Sequence, residues 1–171
     1  MSVIEPTNKN FLSPLGFTFG VKKLPHVNFF VTRTSIPGFS LGVAEYPNPF
    51  VVLPIPGDKI DFGELQVTFK VDEDMKNYLE IFNWIMGMGF PDRYEQYASI
   101  KRMGKGSGLG IYSDATLTVL TSAMNPNIEF SFRNVFPFSL TEIDFSTQSA
   151  DVEYVEATAS FRYELFEIAT L

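Results

Sequence analysis

Residues 63–91, GELQVTFKVDEDMKNYLEIFNWIMGMGFP, join one predicted strand directly to one predicted helix. Apolar and polar residues alternate over 64–71, which is the period of a strand with one buried face. The pattern predicts that Leu65, Val67, Phe69 and Val71 point inward. It places the side chains of Glu64, Gln66, Thr68 and Lys70 on the opposite, polar face.

The helix is predicted over 72–88. Asp72 is a good N-cap, and acidic residues at 73 and 74 suit the positive end of a helix dipole. Pro91 prevents continuation of the helix. The predicted buried stripe recurs at helical spacing and consists of Met75, Tyr78, Leu79, Phe82, Ile85 and Met86. Trp84 lies outside that stripe, so it either widens the buried face or contacts a neighbouring subunit.

The rest of the chain predicts a mainly β fold. Residues 15–33 predict a strand, a tight turn and a second strand that pairs with the first. Further strands are predicted, with turns between them, at 116–120, 129–133, 140–146 and 157–168, and turns are predicted at 125–127 and 134–137. A phase slip near Leu165 and Phe166 indicates a bulge or bend. We expect an antiparallel β-sandwich or barrel with one flanking α-helix, formed by residues 1–171 as a single domain with an N-terminal arm at 1–12.

Residues 34–59 differ in character because they carry five prolines and three glycines among many apolar residues. Prolines exclude a long regular central strand, and a flexible linker would be more polar. We therefore predict a long extended loop that lies against something outside its own domain, although a loop folded over its own core is the alternative. The candidate contact residues are Ile36, Phe39, Leu41, Tyr46, Phe50, Val52 and Leu53, together with Trp84.

The composition excludes several functions. The chain has 171 residues, no Cys, one His, and a net charge of −7 from 13 basic and 20 acidic residues. Such a balance disfavours a protein that grips nucleic acid by its phosphates. No signal peptide and no apolar run long enough to span a bilayer is present, so we expect a chain without membrane insertion.

No pattern predicts an enzyme, a cofactor or a metal site. The glycines within the predicted flexible excursion 101–112 match neither a P-loop nor a dinucleotide fingerprint, because no helix follows them. His26 has no local catalytic partner at a recognisable spacing, and 72–74 lack the spacing of a calcium loop. We therefore favour a histidine in a turn for His26, and helix capping for the carboxylates at 72–74.

Two stretches resemble the tail tube proteins of contractile-tailed bacteriophages. The first is GDKIDFGELQVTFKVDEDMKNYLEIFNWIMGM at 57–88, and the second is FRNVFPFSLTEIDFSTQSADVEYVEATASFRYELFEI at 132–168. Together with 15–33, they cover most of the chain in the family's order. The resemblance implies a β-sandwich with a flanking helix, assembled as hexameric rings stacked around a channel. It also implies that sheets of six subunits join into one barrel and that the long loop reaches the neighbouring ring.

The resemblance implies a structural subunit of a virion tail that is assembled in the host cytoplasm. Its implied partners are itself, the tail sheath, the baseplate or tube initiator and the tape-measure protein, while DNA passes through without specific binding. A channel lined by acidic or neutral groups would let DNA slide without being captured, and the lumen candidates are Glu64, Gln66, Thr68, Glu142 and Asp144. Two alternatives remain: a tube initiator, completion or terminator protein of the same fold, and a monomeric β-sandwich binding module or small esterase-like enzyme that uses His26.

Overall fold

The structure is a computed structural model that describes residues 5, 9–89, 95, 97–98, 110–145 and 154–171. In this part of the chain it contains nine strands and two helices, so the fold is mainly β, as predicted. The strands are β1 (Phe17–Val21), β2 (Val31–Thr34), β3 (Phe39–Tyr46), β4 (Leu53–Phe62), β5 (Leu65–Lys70), β6 (Ser113–Leu120), β7 (Pro126–Leu140), β8 (Glu156–Arg162) and β9 (Leu165–Thr170). The helices are α1 (Pro25–Phe29) and α2 (Lys76–Gly89).

Seven strands form one antiparallel sheet that folds over on itself at the long strand β7. The order is β1-β6-β7-β8-β5-β2, and β9 pairs with β7 on the side away from β6. We call β1, β6, the first part of β7 and β9 the first half of the sheet. The last part of β7 with β8, β5 and β2 is the second half. The two remaining strands, β3 and β4, pair with each other and with no other strand in the described part of the chain.

The two halves of the sheet and the two helices enclose one hydrophobic core. Alternation along β5, β6 and β8 sends every second side chain inward, which confirms the predicted strand pattern of 64–71. The fully buried side chains come from both halves and both helices, and the largest are Phe69, Phe132, Phe161, Leu24, Leu65 and Ile81. One contiguous cluster of this size supports a single packed unit.

Two bends allow the sheet to turn this corner. Asn134 has a φ of 54°, a left-handed conformation that Asn tolerates better than most residues. The prediction of a turn at 134–137 is therefore wrong, because β7 bends at Asn134 and continues as a strand. The predicted bend near Leu165 is confirmed, because β8 ends at Arg162 and β9 begins at Leu165, where the chain moves from the second half to the first.

The predicted hairpin over 15–33 is wrong. The connecting segment forms the short helix α1 with Pro25 in its first turn, where the missing N–H of a proline costs nothing. Strand β1 pairs with β6 and β2 pairs with β5, so the two strands lie at opposite ends of the sheet. Helix α1 also makes the expectation of a single helix wrong, because five residues are too few to show a periodic stripe.

Helix α2 begins four residues later than the predicted N-cap. The carbonyl of Asp72 accepts a hydrogen bond from the Met75 N–H in a turn, and Met75 has a φ of 55°. The buried Asn77 takes the bonding role assigned to Asp72: its Oδ1 accepts from the N–H groups of Asp72 and Tyr78, and its Nδ2 donates to the Lys70 carbonyl at 2.7 Å. The predicted cap at Asp72 is therefore wrong.

The buried face of α2 is also rotated from the predicted stripe. It is formed by Asn77, Ile81, Trp84 and Gly87, whereas Leu79 and Phe82 of the predicted stripe are exposed. Apolar residues surround much of this helix, so spacing alone did not identify the face that packs on the core.

Several predicted segments end or fall elsewhere. The predicted strand 140–146 is wrong, since β7 ends at Leu140 and residues 141–145 belong to no strand, although the Thr141 N–H still donates to the Thr158 carbonyl of β8. Most of the predicted arm 1–12 and of the excursion 101–112 lies outside the described residues. Within them, Phe11 and Leu12 are exposed.

Candidate assembly surfaces

The segment predicted as an extended loop forms a regular β-hairpin instead. Strands β3 and β4 pair over most of their length, from Phe39–Phe62 at the base to Tyr46–Leu53 near the tip. The prolines are tolerated because each strand of a two-stranded ribbon has one unpaired edge, where a missing N–H breaks no ladder bond. The segment is extended, as predicted, but its own ladder stiffens it.

The hairpin is attached to the sheet at its base. The rings of Phe39 and Phe62 pack edge-on against Phe166 of β9, with centroid separations of 6.3 and 5.7 Å, and Phe62 also contacts Tyr163. The Gly63 N–H donates to the Gly38 carbonyl at 2.7 Å. This cluster fixes where the hairpin leaves the domain.

A bulge bends the hairpin about one third of the way from its base. The register shifts between Leu41 and Val43, and the backbone of Gly57 lies against that of Gly42. A Cβ on Gly57 would stand 2.6 Å from the Gly42 carbonyl oxygen, closer than side chains approach backbone. Glycine at 57 is therefore required by the close approach of the two strands.

Beyond the base, the hairpin holds apolar side chains in solvent. Phe50 at the tip is 95% exposed, and Phe39 is 67% exposed despite its ring contact. The other predicted contact residues in this segment are also exposed, namely Ile36, Leu41, Tyr46, Val52 and Leu53. Val43, Val51, Ile55 and Ile60 extend the same surface. Exposed apolar residues in such number are typical of interaction surfaces.

Trp84 does not belong to that surface. Its side chain is only 5% exposed, and its indole Nε1–H donates to the Ile111 carbonyl at 2.9 Å. The ammonium of Lys23 lies 4.7 Å from the centre of the indole and donates to the Gly110 carbonyl, and burial lowers the pKa of this lysine. The candidate role of Trp84 as a subunit contact is wrong, because the indole is buried in the core of its own chain and its N–H is already bonded there.

Three of the five lumen candidates share one surface. Glu64, Gln66 and Thr68 lie on the outward face of the second half, as the alternation predicted. Their cross-strand neighbours on β8 are Arg162, Ser160 and Thr158, and the hydroxyls of Thr68 and Thr158 are 3.0 Å apart. This outward face of the second half is therefore rich in hydroxyl and amide groups.

The charges on this outward face are mixed rather than acidic, with one more cation than carboxylate. It carries three cations, Arg33, Lys70 and Arg162, and two carboxylates, Glu64 and Glu156. Arg162 Nη2 lies 2.9 Å from Glu64 Oε1, and Lys70 lies over the ring of Tyr154. This face therefore carries no excess of carboxylates, although the whole chain is acidic.

Glu142 and Asp144 do not join this surface. Both are exposed, but they follow the end of β7 at Leu140 and belong to no strand. Their alternation therefore does not place them on a sheet face.

His26 and the acidic turn 72–74 have local structural roles. His26 Nδ1 contacts the Glu80 carboxylate and so joins α1 to α2. Lys76 donates to Asp74 at 2.6 Å, and this bond lowers the pKa of the aspartate. Within the described ranges, no group of three or more potential metal ligands occurs, and no helix has the length and apolarity needed to cross a membrane.

Two unpaired strand edges are a feature that the sequence did not reveal. In the second half, β2 pairs only with β5, and residues 136–140 of β7 pair only with β8 among the described residues. They form opposite edges of a four-stranded half-sheet. Which strands lie at the edges depends on the order of the strands in the sheet, and the periodicity of the sequence does not predict that order.

Comparison with known proteins gives a consistent set of similarities. The family model of the phage tail tube protein matches residues 6–169. No curated protein sequence matches the chain.

Among solved structures, the tube-terminating cap of the anti-feeding prophage is 15% identical with a TM-score of 0.67, covering 98% of this chain and 97% of that one. A chain of the PVC sheath–tube complex of an extracellular contractile injection system, in the extended state, is 15% identical with a TM-score of 0.65, covering 95% and 94%. The sheath/tube terminator of the PVC system is 16% identical with a TM-score of 0.62, covering 98% and 99%. At these identities the similarity concerns the fold.

Proposed function

The chain belongs to the phage tail tube protein family, and from this we propose that it is the structural subunit of a contractile tail tube. Its copies would form hexameric rings, and the rings would stack around a channel that conducts DNA into the host during contraction. It would work by assembly and without catalysis or a cofactor.

The observation that carries the proposal is the β3–β4 hairpin. Its apolar side chains from Leu41 to Ile60 are held in solvent by a regular ladder and a packed base. Exposing such a ribbon is unfavourable for a lone protomer, because each buried Å² of apolar surface contributes roughly 25 cal/mol. Contact with a subunit of the next ring would remove this surface from water.

Ring closure would use the two free edges of the second half. Unpaired edges invite strand addition, and here β2 and the last part of β7 lie at opposite sides of the same half-sheet. If β2 of one copy lies beside β7 of the next, the same contact repeats from subunit to subunit. A repeated contact of this type closes into a ring when the rotation permits.

The outward face of the second half would then line the channel. Its hydroxyl and amide groups offer phosphates no charge, and the Arg162–Glu64 pair leaves only a small excess of cations, so we expect little net attraction. The partners of the tube would be the tail sheath, the baseplate or tube initiator and the tape-measure protein, and assembly would take place in the host cytoplasm before the tube enters the virion tail.

Cysteine cross-linking tests the ring. Because the chain has no native cysteine, a disulfide can form only between introduced cysteines. In T32C/S139C the two new thiols lie three strand spacings apart in one chain, about 14 Å, too far for a disulfide. Oxidation should therefore link only different copies and give a ladder that ends at six chains. Each single variant should give no product larger than a dimer, and a double variant that stays monomeric would reject the edge contact.

Electron microscopy across protein concentration tests the stacking. We expect hollow tubes from the wild-type chain and single rings from F50S/V52S, which removes apolar contacts at the hairpin tip. F29S is the matched control, because Phe29 is similarly exposed but lies on α1. Tubes from F50S/V52S would refute the role of the hairpin, and a persistent wild-type monomer would instead favour a tube initiator, completion or terminator protein.

A further inference from the structure

Glu64 and Arg162 form an ion pair on the outward face of the second half. The guanidinium Nη2 lies 2.9 Å from Glu64 Oε1, and the guanidinium carbon lies 5.5 Å from the centre of the Phe138 ring. Both charged side chains remain partly exposed, at 48% for Arg162 and 36% for Glu64. Water screens such a pair, so it contributes little to folding stability.

This ion pair matters instead for the net charge of the face on which it lies. The nearest charged positions on the same face are Arg33 on β2 and Lys70 with Glu156 further along β5 and β8. Without the carboxylate of Glu64, this face would carry three cations and one carboxylate. Guanidinium groups bind phosphate through paired donors, so an unmasked Arg162 would be a phosphate contact.

We propose that Glu64 is a specificity-determining residue that masks Arg162 and so prevents a passing polyanion from being retained on this face. The proposal rests on the proposed function, in which this face lines the channel. The guanidinium lies near the Phe138 ring, and one of its nitrogens donates to a carboxylate of the same subunit rather than to a phosphate that must slide past.

The first half of the sheet offers a matched comparison. There Arg133 Nη2 lies 2.7 Å from Glu167 Oε1, and both side chains are more than half exposed. Glu129 and Asp114 lie on the same outward face, where Lys22 pairs with Asp114 at 2.8 Å. Two carboxylates therefore still balance two cations when Glu167 is neutralised, whereas neutralising Glu64 leaves three cations and one carboxylate. The two ion pairs are alike in geometry but differ in the charge of their surroundings.

Binding of a fluorescein-labelled 20-base-pair DNA duplex to the full chain tests the proposal, with anisotropy measured across salt concentration. We expect E64Q to bind several-fold more tightly than wild type at low salt, with a log–log salt slope steeper by about 0.9 because one more phosphate is contacted. E64Q/R162Q should return to the wild-type affinity, and E167Q should stay close to it.

An E64Q affinity equal to that of wild type would overturn the proposal. An equal gain in E167Q would also overturn it, because net charge alone would then explain the effect. Melting temperatures of all variants should agree with wild type, which confirms that folding is intact.

The same samples separate this inference from the proposed function. A gain of affinity in E64Q, in a chain that forms no tubes by electron microscopy, supports the masking and rejects the channel. Tubes formed by an E64Q variant with unchanged affinity support the channel and reject the masking.

Discussion

Asn134 Nδ2 donates a hydrogen bond to the Glu164 carboxylate, joining the bend of β7 to the turn between β8 and β9. The Glu164 N–H also donates to the Arg133 carbonyl at 3.0 Å, so backbone and side chain hold the same two bends together. At this point β7 passes from the first half of the sheet to the second, and the chain passes from β8 in the second half to β9 in the first. The corner that folds the sheet over its core is therefore fixed by residues thirty positions apart in the chain.

Substitutions at Asn134 should separate strain from hydrogen bonding. N134G keeps the left-handed conformation but loses the hydrogen bond, so we expect a loss of about 1 kcal/mol in unfolding free energy. N134A loses the bond and keeps a Cβ in a left-handed conformation that Ala tolerates less well than Asn or Gly, so the loss should be about 1 kcal/mol larger. Urea denaturation of both variants measures the difference, and equal losses would show that the conformation carries no strain.

Truncation of Trp84 should expose its role in the core. W84F removes the donor to the Ile111 carbonyl and leaves a small cavity, which should cost about 2 kcal/mol. F82A is the matched control on the same helix, because Phe82 is exposed and should change stability by less than about 1 kcal/mol. If F82A proves the costlier change in urea denaturation of the unassembled chain, the buried face of α2 has been assigned wrongly.

Tyr163 should make the protein sensitive to alkaline pH. Burial raises its pKa above the usual 10.0, and its buried hydroxyl has no hydrogen-bond partner among the described residues. Because the folded state holds this proton more tightly, stability is retained below pH 10 and falls as the pH rises through the raised pKa. We expect Y163F to lose less stability above pH 10 and to gain about 1 kcal/mol at pH 7, as measured by thermal denaturation. An unchanged alkaline profile in Y163F would contradict this.

The bend of the hairpin should depend on Gly57. G57A places a Cβ 2.6 Å from the Gly42 carbonyl oxygen, so the strands must separate, whereas a Cβ on Gly38 meets nothing within 4 Å. We expect faster hydrogen exchange over residues 43–46 in G57A than in G38A. The core should be unaffected, since the hairpin packs on it through Phe62 at its base, away from the bulge. Equal exchange in the two variants would show that the hairpin accommodates the methyl group.

Local patterns predicted the elements whose burial alternates regularly. The strand at 64–71 was predicted in its correct phase because only one side of it is apolar. Prolines among the apolar residues of 34–59 also indicate from the sequence that this segment is no central strand of the core, whereas its pairing as a hairpin follows only from the structure. The stripe of α2 was misassigned because Leu79 and Phe82 are apolar yet exposed, and a helix that is apolar on several sides gives no unique face.

The sequence by itself determined that the chain is mainly β, that a single strand–helix unit lies near its middle, and that the outward residues of β5 are polar, because these properties depend on neighbours within a few positions. Only the tertiary structure decided which strands pair, where β7 bends, and that Arg162 faces Glu64 from a strand 98 positions away. Those contacts depend on strand order, and strand order is settled by packing of the whole core rather than by any local period.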